Sequence, residues 1–178
     1  MSKIITIGID LAKNVFQLHM TDKAGKKIDG KRLSRNKLIE FLANIPPCLI
    51  GIEACGGAHY WARKFKELGH EVKMMAPQFV KPYVKSNKND SNDAQAIAEA
   101  VTRPSMRFVS VKSPHQQDIQ CIHRIRDGYI KQRLSISNQV RGLLAEYGIV
   151  FPEGFSALKS KLPIVIDDSQ NELTPISR

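Results

Sequence analysis

The sequence predicts an α/β fold in which a mixed sheet is flanked by helices and followed by a long helical segment. Three observations lead to this prediction. Apolar runs of strand length open the chain, similar runs then alternate with helical segments, and an apolar residue later recurs at every seventh position. We expect an α/β domain over residues 1–104 and a coiled-coil-like helix over residues 113–148.

Three strands are predicted at the start of the chain. Residues 3–10 (KIITIGID) form an apolar, β-branched run, and residues 15–20 (VFQLHM) form a second one. A turn signal at residues 23–26 precedes a more polar run over residues 27–33, which is typical of an edge strand. These three segments predict an antiparallel meander.

Helices and short apolar strands alternate in the next part of the chain. Ser34 is a plausible N-cap, and two prolines at residues 46–47 stop the helix that follows it. The predicted elements are a helix over 36–44, a strand over 48–53, a helix over 58–68, a strand over 71–76 and a helix over 91–102. Residues 77–89 contain two prolines and several basic residues, so we expect a mobile basic loop there. This order predicts a domain of the ribonuclease H type.

The long helical segment carries a narrow apolar seam. Its members are spaced seven residues apart, at Ile122, Tyr129, Ile136 and Leu143. Such a seam predicts self-association through residues 113–148. Prolines and glycines interrupt residues 149–178, for which we expect a polar tail that leads to a missing C-terminal domain, with residues 167–178 loosely ordered.

Composition narrows the function. The chain has 27 Lys and Arg against 17 Asp and Glu, a net charge of +10, which favours a polyanionic partner such as nucleic acid. No apolar run reaches the roughly 18 residues of a membrane span, and the N-terminus has no signal-peptide pattern, so a cytoplasmic location without membrane contact is expected. Three cysteines without CxxC spacing indicate reduced thiols rather than a zinc site.

Four acidic residues are the candidate catalytic and metal-binding groups. Asp10 (GIDLAKN) and Glu53 (GIEACGG) end two predicted strands, whereas Asp90 and Asp93 (KNDSNDAQ) lie where a helix begins. Each has a simple structural explanation when taken alone, such as a turn, a surface acid or a helix cap. Taken together on a basic α/β domain, they predict a site for Mg²⁺ or Mn²⁺, with two ions serving phosphoryl transfer.

Basic residues cluster in two places. Residues 103–141 contain eight Lys or Arg against two Asp, and the arginines favour contact with phosphate, although a charged helix is often only a solvated surface. The basic loop before Asp90 is the second place. The residues predicted to contact nucleic acid are Lys81, Lys85, Lys88, Arg124, Arg126, Lys131, Arg133 and Arg141.

Four sequence patches resemble a known family. GIDLAKNVF, GIEACGGAHYWAR, KNDSNDAQAIAEA and RIRDGYIKQRLSISNQVRGLLAEYGI are similar to segments of the DEDD transposases of the insertion-sequence-110 type, which are RuvC-like, bridge-RNA-guided recombinases. The resemblance extends to about Pro152. It implies that the four acids bind metal, that the chain acts on DNA with a guide RNA, and that the long helices join protomers and contact this RNA.

The resemblance also implies a second, C-terminal domain with a nucleophilic serine. The sequence stops at Arg178, and Ser156, Ser160 and Ser169 match no motif of that domain, so no serine of this chain is assigned as nucleophile. We therefore expect an N-terminal catalytic-domain fragment of a DNA transposase, and the isolated fragment need not be active.

Two other functions remain open at this stage. One is a non-catalytic module for nucleic-acid binding and dimerisation. The other is an actin-like phosphotransferase with GIDLAKN as its first phosphate loop, but that fold requires a later Gly-rich adenosine loop, which the sequence lacks.

Overall fold

The computed structural model describes residues 4–85 and 89–178. The chain divides into two compact units, Met1–Ser113 and Pro114–Arg178. Within the described residues, the first unit contains β1 (Thr6–Asp10), β2 (Val15–Thr21), β3 (Lys27–Ser34), α1 (Arg35–Ala43), β4 (Leu49–Glu53), α2 (Ala58–Glu67), β5 (Glu71–Met75), α3 (Pro77–Val80), a 3₁₀ turn (Lys81–Tyr83), α4 (Asp90–Ala100) and β6 (Phe108–Val109).

The strands of the first unit form one mixed sheet in the order β3-β2-β1-β4-β5-β6. β1 pairs antiparallel with β2, which pairs antiparallel with β3, so the predicted meander is present. β4 lies parallel to both β1 and β5, and β6 closes the sheet in the antiparallel direction. The predicted ribonuclease H-type sheet flanked by helices is confirmed.

Alternation along β1 separates the two faces of the sheet. Ile7 and Ile9 are fully buried and belong to a core that also contains Leu38 of α1 and Phe65 of α2. The intervening Gly8 faces α4. The sheet is therefore covered by α1 and α2 on one face and by α4 on the other.

A buried histidine links three elements of this core. The Nδ1 atom of His70 accepts a hydrogen bond from Cys48 N at 3.3 Å, and its Nε2 atom lies 3.1 Å from the Leu42 carbonyl oxygen, to which it donates. The ring thus satisfies one backbone group near the end of α1 and another just before β4. His70 and Cys48 are both buried, so their proximity has a structural role.

The segment after β5 differs from its prediction. Residues 77–83 form α3 and the 3₁₀ turn, where a mobile basic loop was expected. Pro77 occupies the start of α3, a position where proline favours a helix, and Val80 is buried in a cluster with Met75 and Ile97. Packing of an apolar side chain therefore outweighed the loop signals. Strand β6 was also not anticipated.

The second unit contains the predicted long helix, α5 (Pro114–Ala145), and a second helix, α6 (Phe155–Asp167). No helix was expected within the tail of residues 149–178, where α6 lies. Leu158 of α6 is buried with Leu144 of α5 and with Leu173, because apolar residues of α6 recur at helical spacing despite Pro163. None of the helices in the described part of the chain is both long and apolar enough to cross a membrane.

Candidate metal-binding edge of the sheet

Asp10 and Glu53 lie side by side at one edge of the sheet. The last paired residues of the parallel strands β1 and β4 are Ile9 and Ile52, and each acid is the next residue of its strand. Neighbouring strands lie about 4.8 Å apart, which places the two carboxylates within reach of one ion. We call this the carboxylate edge.

The thiol of Cys55 lies close to both acids. Burial raises the pKa of Cys55, and the negative charges of Glu53 and Asp10 raise it further. Its Sγ atom lies 3.9 Å from the carbonyl oxygen of Leu11, the residue after Asp10. The loops that follow β1 and β4 are therefore in contact at the carboxylate edge.

Helix α4 packs closely on the face of the sheet that carries both acids. A Cβ atom on Gly8 would lie 2.2 Å from the Ala94 carbonyl oxygen, and one on Gly51 would lie 2.8 Å from Cβ of Val101. Because side chains alternate along a strand, the residues two positions after these glycines, Asp10 and Glu53, share this face.

The direction of α4 brings its first turn toward the carboxylate edge. Residues from its second half, including Ala98 and Glu99, line a groove with Thr6 and Leu49 at the beginnings of β1 and β4. The start of α4 therefore points toward the ends of these strands. Asp90 and Asp93 lie in this first turn, where the helix dipole favours negative charge.

Asn89, rather than Asp90, caps α4. Its side-chain oxygen accepts a hydrogen bond from the backbone N–H of Asn92 at 2.8 Å. Asp90 is the first helical residue. The simple structural explanation of Asp90 as the N-cap is therefore wrong.

The donor set at this edge fits a hard divalent ion. Carboxylate oxygens are the ligands that Mg²⁺ and Mn²⁺ prefer. Over residues 4–85 and 89–178, however, no three His, Cys, Asp or Glu side chains converge closely enough to hold a metal. The fold thus places Asp10 next to Glu53 and turns the start of α4, with Asp90 and Asp93, toward them. No three of these four carboxylates, all within the described residues, lie close enough together to hold one ion.

The basic residues predicted near Asp90 have different surroundings. Lys81 is exposed in the 3₁₀ turn. Lys85 forms an ion pair with Glu99 of α4 at 2.6 Å, so its charge is already compensated. Lys88 lies outside the described residues.

The predicted basic residues of α5 are exposed except for Arg141, and two of the five contact the residues before or within α6. Arg124, Arg126 and Lys131 are exposed. The guanidinium of Arg133 lies 5.0 Å from the ring centre of Phe155. Arg141 donates to the carbonyl oxygens of Pro152 at 3.4 Å and of Gly154 at 2.5 Å, so its guanidinium contacts the residues just before α6.

Sequence reasoning missed an arginine at the same end of the sheet as Asp10 and Glu53. The guanidinium of Arg35 lies 4.8 Å from the ring centre of Trp61, and its NH1 donates to the Lys13 carbonyl oxygen at 3.0 Å. Trp61 is buried in the core. The available signal was the position of Arg35 directly after β3, whose last residue pairs with Val15 near this end of the sheet.

Comparison with known proteins places the chain in a family. The family model DEDD_Tnp_IS110, described as a transposase, matches residues 7–149. The chain is 52% identical over 144 residues to a probable family 20 transposase of Pseudomonas aeruginosa, covering 81% of this chain and 43% of the relative. It is 45% identical over 175 residues to the transposase for insertion sequence element IS1328 of Yersinia enterocolitica, covering 98% and 52%.

A third relative gives a similar result. The transposase for insertion sequence element IS1111A of Coxiella burnetii is 45% identical over 175 residues, covering 98% of this chain and 48% of the relative. Among solved structures, Thermus thermophilus RuvC in complex with Holliday junction substrate gives a TM-score of 0.45 at 14% identity, covering 60% of this chain and 99% of that chain. The chain spans about half the length of the curated relatives it matches, and it belongs to the DEDD transposase family of the insertion-sequence-110 type.

Proposed function

We propose that this chain is the N-terminal catalytic part of a DNA transposase, and that its carboxylates bind Mg²⁺, or Mn²⁺ in its place. The observation that carries the proposal is the pairing of Asp10 with Glu53 at the ends of adjacent parallel strands, where both charges raise the pKa of Cys55. The relatives named as transposases support DNA recombination as the reaction class.

The four acids have distinct placements in this proposal. Asp10 and Glu53 supply carboxylates from rigid strands, whereas Asp90 and Asp93 supply them from the first turn of α4. Two divalent ions bound by such acids offset the charge on the attacking and leaving oxygens of a phosphodiester. Because like charges repel, bound cations would be what draws Asp90 and Asp93 close to the acids of the strands.

We propose DNA and a structured guide RNA as the polyanionic partners. Arg124, Arg126 and Lys131 are exposed on α5 and are the strongest candidates for phosphate contacts in that helix. Lys81 is a further candidate. Lys85 and Arg133 would have to exchange their present partners, Glu99 and Phe155, for a phosphate.

We also propose that α5 mediates self-association. The four seam residues expose large apolar surfaces, with relative exposures of 66%, 68%, 59% and 60% for Ile122, Tyr129, Ile136 and Leu143. Apolar side chains at this heptad spacing are stabilised when a second helix covers them. The protomers of the proposed transposase therefore meet through this seam.

No serine of this chain is assigned as the nucleophile. The tail serines Ser156 and Ser160 lie in α6, and the side chain of Ser160 donates to the Ala157 carbonyl oxygen. In the proposed reaction the carboxylate edge supplies one part of the catalytic centre.

A non-catalytic module for nucleic-acid binding and dimerisation is the second candidate. One observation favours it, namely that the exposed apolar seam and the exposed basic residues of α5 lie in the second unit, whereas the four acids lie in the first. This candidate predicts nucleic-acid binding that is independent of divalent ions.

Calorimetric titration with Mn²⁺ separates the two candidates. We expect the chain to bind Mn²⁺ and the variants Asp10→Asn and Glu53→Gln to lose at least about tenfold in affinity, because each removes a charged ligand. Asp93→Asn tests the contribution of α4 in the same way. Glu40→Gln, which alters an exposed acid of α1, is the matched control. Equal affinity in all four variants would favour the non-catalytic module.

A further inference from the structure

Arg35 lies at the same end of the sheet as Asp10 and Glu53, but on the face covered by α1 and α2 rather than on the α4 face that carries the acids. It is the first residue of α1 and follows Ser34, which pairs with Val15 at the start of β2. The loop from Asp10 to Val15 joins β1 to β2 at this end of the sheet. The Arg35 guanidinium binds the Lys13 carbonyl oxygen in this loop, only three residues after Asp10.

The guanidinium of Arg35 is held in place by a rigid support. It lies 4.8 Å from the ring centre of Trp61 and 6.0 Å from that of Phe16. These rings contact each other edge-to-face at 4.8 Å, and both are buried. Stacking and the hydrogen bond to Lys13 restrict the side chain before any ligand arrives, which lowers the entropic cost of binding one.

The charge of Arg35 is not compensated by a neighbouring acid. Among the ion pairs of the described residues, Arg103 and Lys85 both contact Glu99, whereas no carboxylate pairs with Arg35. A guanidinium has five N–H donors, and the contact with Lys13 uses one of them. Arg35 is exposed, so its other donors can reach a ligand.

We infer that Arg35 binds a phosphate group of the substrate DNA strand where that strand passes the end of the sheet, beyond the linkage held at the carboxylate edge. A strand bound at Asp10 and Glu53 continues past this end of the sheet, where an exposed and fixed positive charge attracts its phosphates. Planar guanidinium groups bind phosphate oxygens through two parallel hydrogen bonds, which a lysine cannot do. This inference rests on the proposed function, because it requires DNA at the carboxylate edge.

The test compares two arginines that both stack on an aromatic ring. Arg35 is the residue of interest, and Arg103, which stacks on Tyr83 at 5.6 Å and pairs with Glu99, is the matched control at the other end of α4. Binding of a short single-stranded DNA to the full 178-residue chain is measured with Ca²⁺ present, at several salt concentrations. Ca²⁺ supplies a hard divalent ion for the carboxylates.

We expect Arg35→Gln to weaken DNA binding about tenfold and to reduce the slope of log affinity against log salt by about 0.7, the value for one lost phosphate contact on a single strand. Arg35→Lys should retain most of the salt slope but recover only part of the affinity, because it keeps the charge and loses the planar fork. Arg103→Gln should change neither quantity.

Several outcomes would overturn the inference. If Arg35→Gln lowers only the melting temperature, with DNA affinity and salt slope unchanged, Arg35 merely covers Trp61. If Arg103→Gln has the same effect as Arg35→Gln, the effect is one of net charge. Loss of Mn²⁺ binding in Asp10→Asn with unchanged DNA binding in Arg35→Gln removes this inference alone, whereas failure of the wild-type chain to bind both DNA and Mn²⁺ removes the proposed function as well.

Discussion

Gly8 of β1 lies directly against the backbone of Ala94 in α4. A methyl group on Gly8 would sit 2.2 Å from the Ala94 carbonyl oxygen and 2.4 Å from the Ala98 nitrogen, far inside van der Waals contact. Asp10 lies two residues further along the same strand, and Asp93 directly precedes Ala94. This close approach therefore couples the position of a strand carboxylate to that of a helix carboxylate.

Gly8→Ala is expected to push α4 away from the sheet. Because both clashing atoms belong to the helix backbone, we expect a loss of about 3 kcal/mol in the free energy of unfolding, measured by urea denaturation. Mn²⁺ affinity should fall too, since Asp93 moves with the helix. Gly56→Ala is the control, because a Cβ there has no atom within 4 Å. Equal stability of the two variants would contradict this role of Gly8.

Stability is expected to fall in mild acid because of His19. This side chain is buried on β2, and burial, followed by the charge of Lys27, lowers the pKa of its imidazole. The unfolded chain therefore binds a proton on His19 at a higher pH than the folded protein does. The stability contributed by the neutral ring is complete above about pH 6.5, the ordinary pKa of histidine, and is lost as the pH falls toward the folded pKa.

Denaturant unfolding between about pH 7 and pH 5 checks the contribution of His19. His19→Gln should flatten the decline in the free energy of unfolding. Some slope remains, because burial and the charges of Lys112 and Arg63 also lower the pKa of His59. His123→Gln, at an exposed position of α5, serves as control. A wild-type slope in His19→Gln would show that this residue is not responsible.

Arg141 is expected to stabilise the second unit rather than to bind nucleic acid. It donates to the carbonyl oxygens of Pro152 and Gly154 just before α6. We expect Arg141→Gln to cost about 2 kcal/mol in the free energy of unfolding, since charged hydrogen bonds to carbonyl groups are lost. Arg124→Gln should leave stability unchanged and weaken DNA or RNA binding. Thermal melts and binding titrations of both variants check this division, and the reverse pattern would refute it.

Self-association is expected to depend on the exposed seam of α5. A charge at Ile122 or Tyr129 would have to be desolvated in a helix–helix contact, so Ile122→Glu and Tyr129→Glu should weaken association at least about tenfold. Asn138→Glu places the same charge at an exposed position on the opposite side of the helix and should have little effect. Sedimentation velocity over a range of protein concentrations measures the change. Association that is insensitive to both seam variants would locate the contact elsewhere.

Much of the carboxylate edge could be predicted because its cause is local. Strands that end in an acid at Asp10 and Glu53 come together whenever the two strands are parallel neighbours, and this arrangement follows from the alternation of apolar strands and helices. The start of α4 near Asp90 is likewise visible from its polar first turn. Hydrophobic periodicity and turn residues sufficed to predict these features. Both depend on the backbone conformation of a segment and on which of its side chains are buried.

The helix over Phe155–Asp167 could not be predicted from the same signals. Prolines and glycines around it indicated irregular structure, but Leu158 gains a buried contact with Leu144 that no local pattern contains. The ordered segment at Val80 was missed for the same reason. In both places the stability of the helix comes from distant apolar side chains, which outweigh weak intrinsic preferences.

The amino-acid sequence by itself determined the fold class, the choice of the four acids as candidate metal ligands and the net positive charge. Hydrophobic periodicity and net charge follow directly from the type and order of the residues. Tertiary structure alone decided what each charged group contacts: Lys85 pairs with Glu99, Arg141 donates to the carbonyl of Gly154, and Arg35 stacks on Trp61. These contacts join residues 13 to 26 positions apart. Electrostatic interactions depend on distance and solvent exposure, and only the packed chain establishes both.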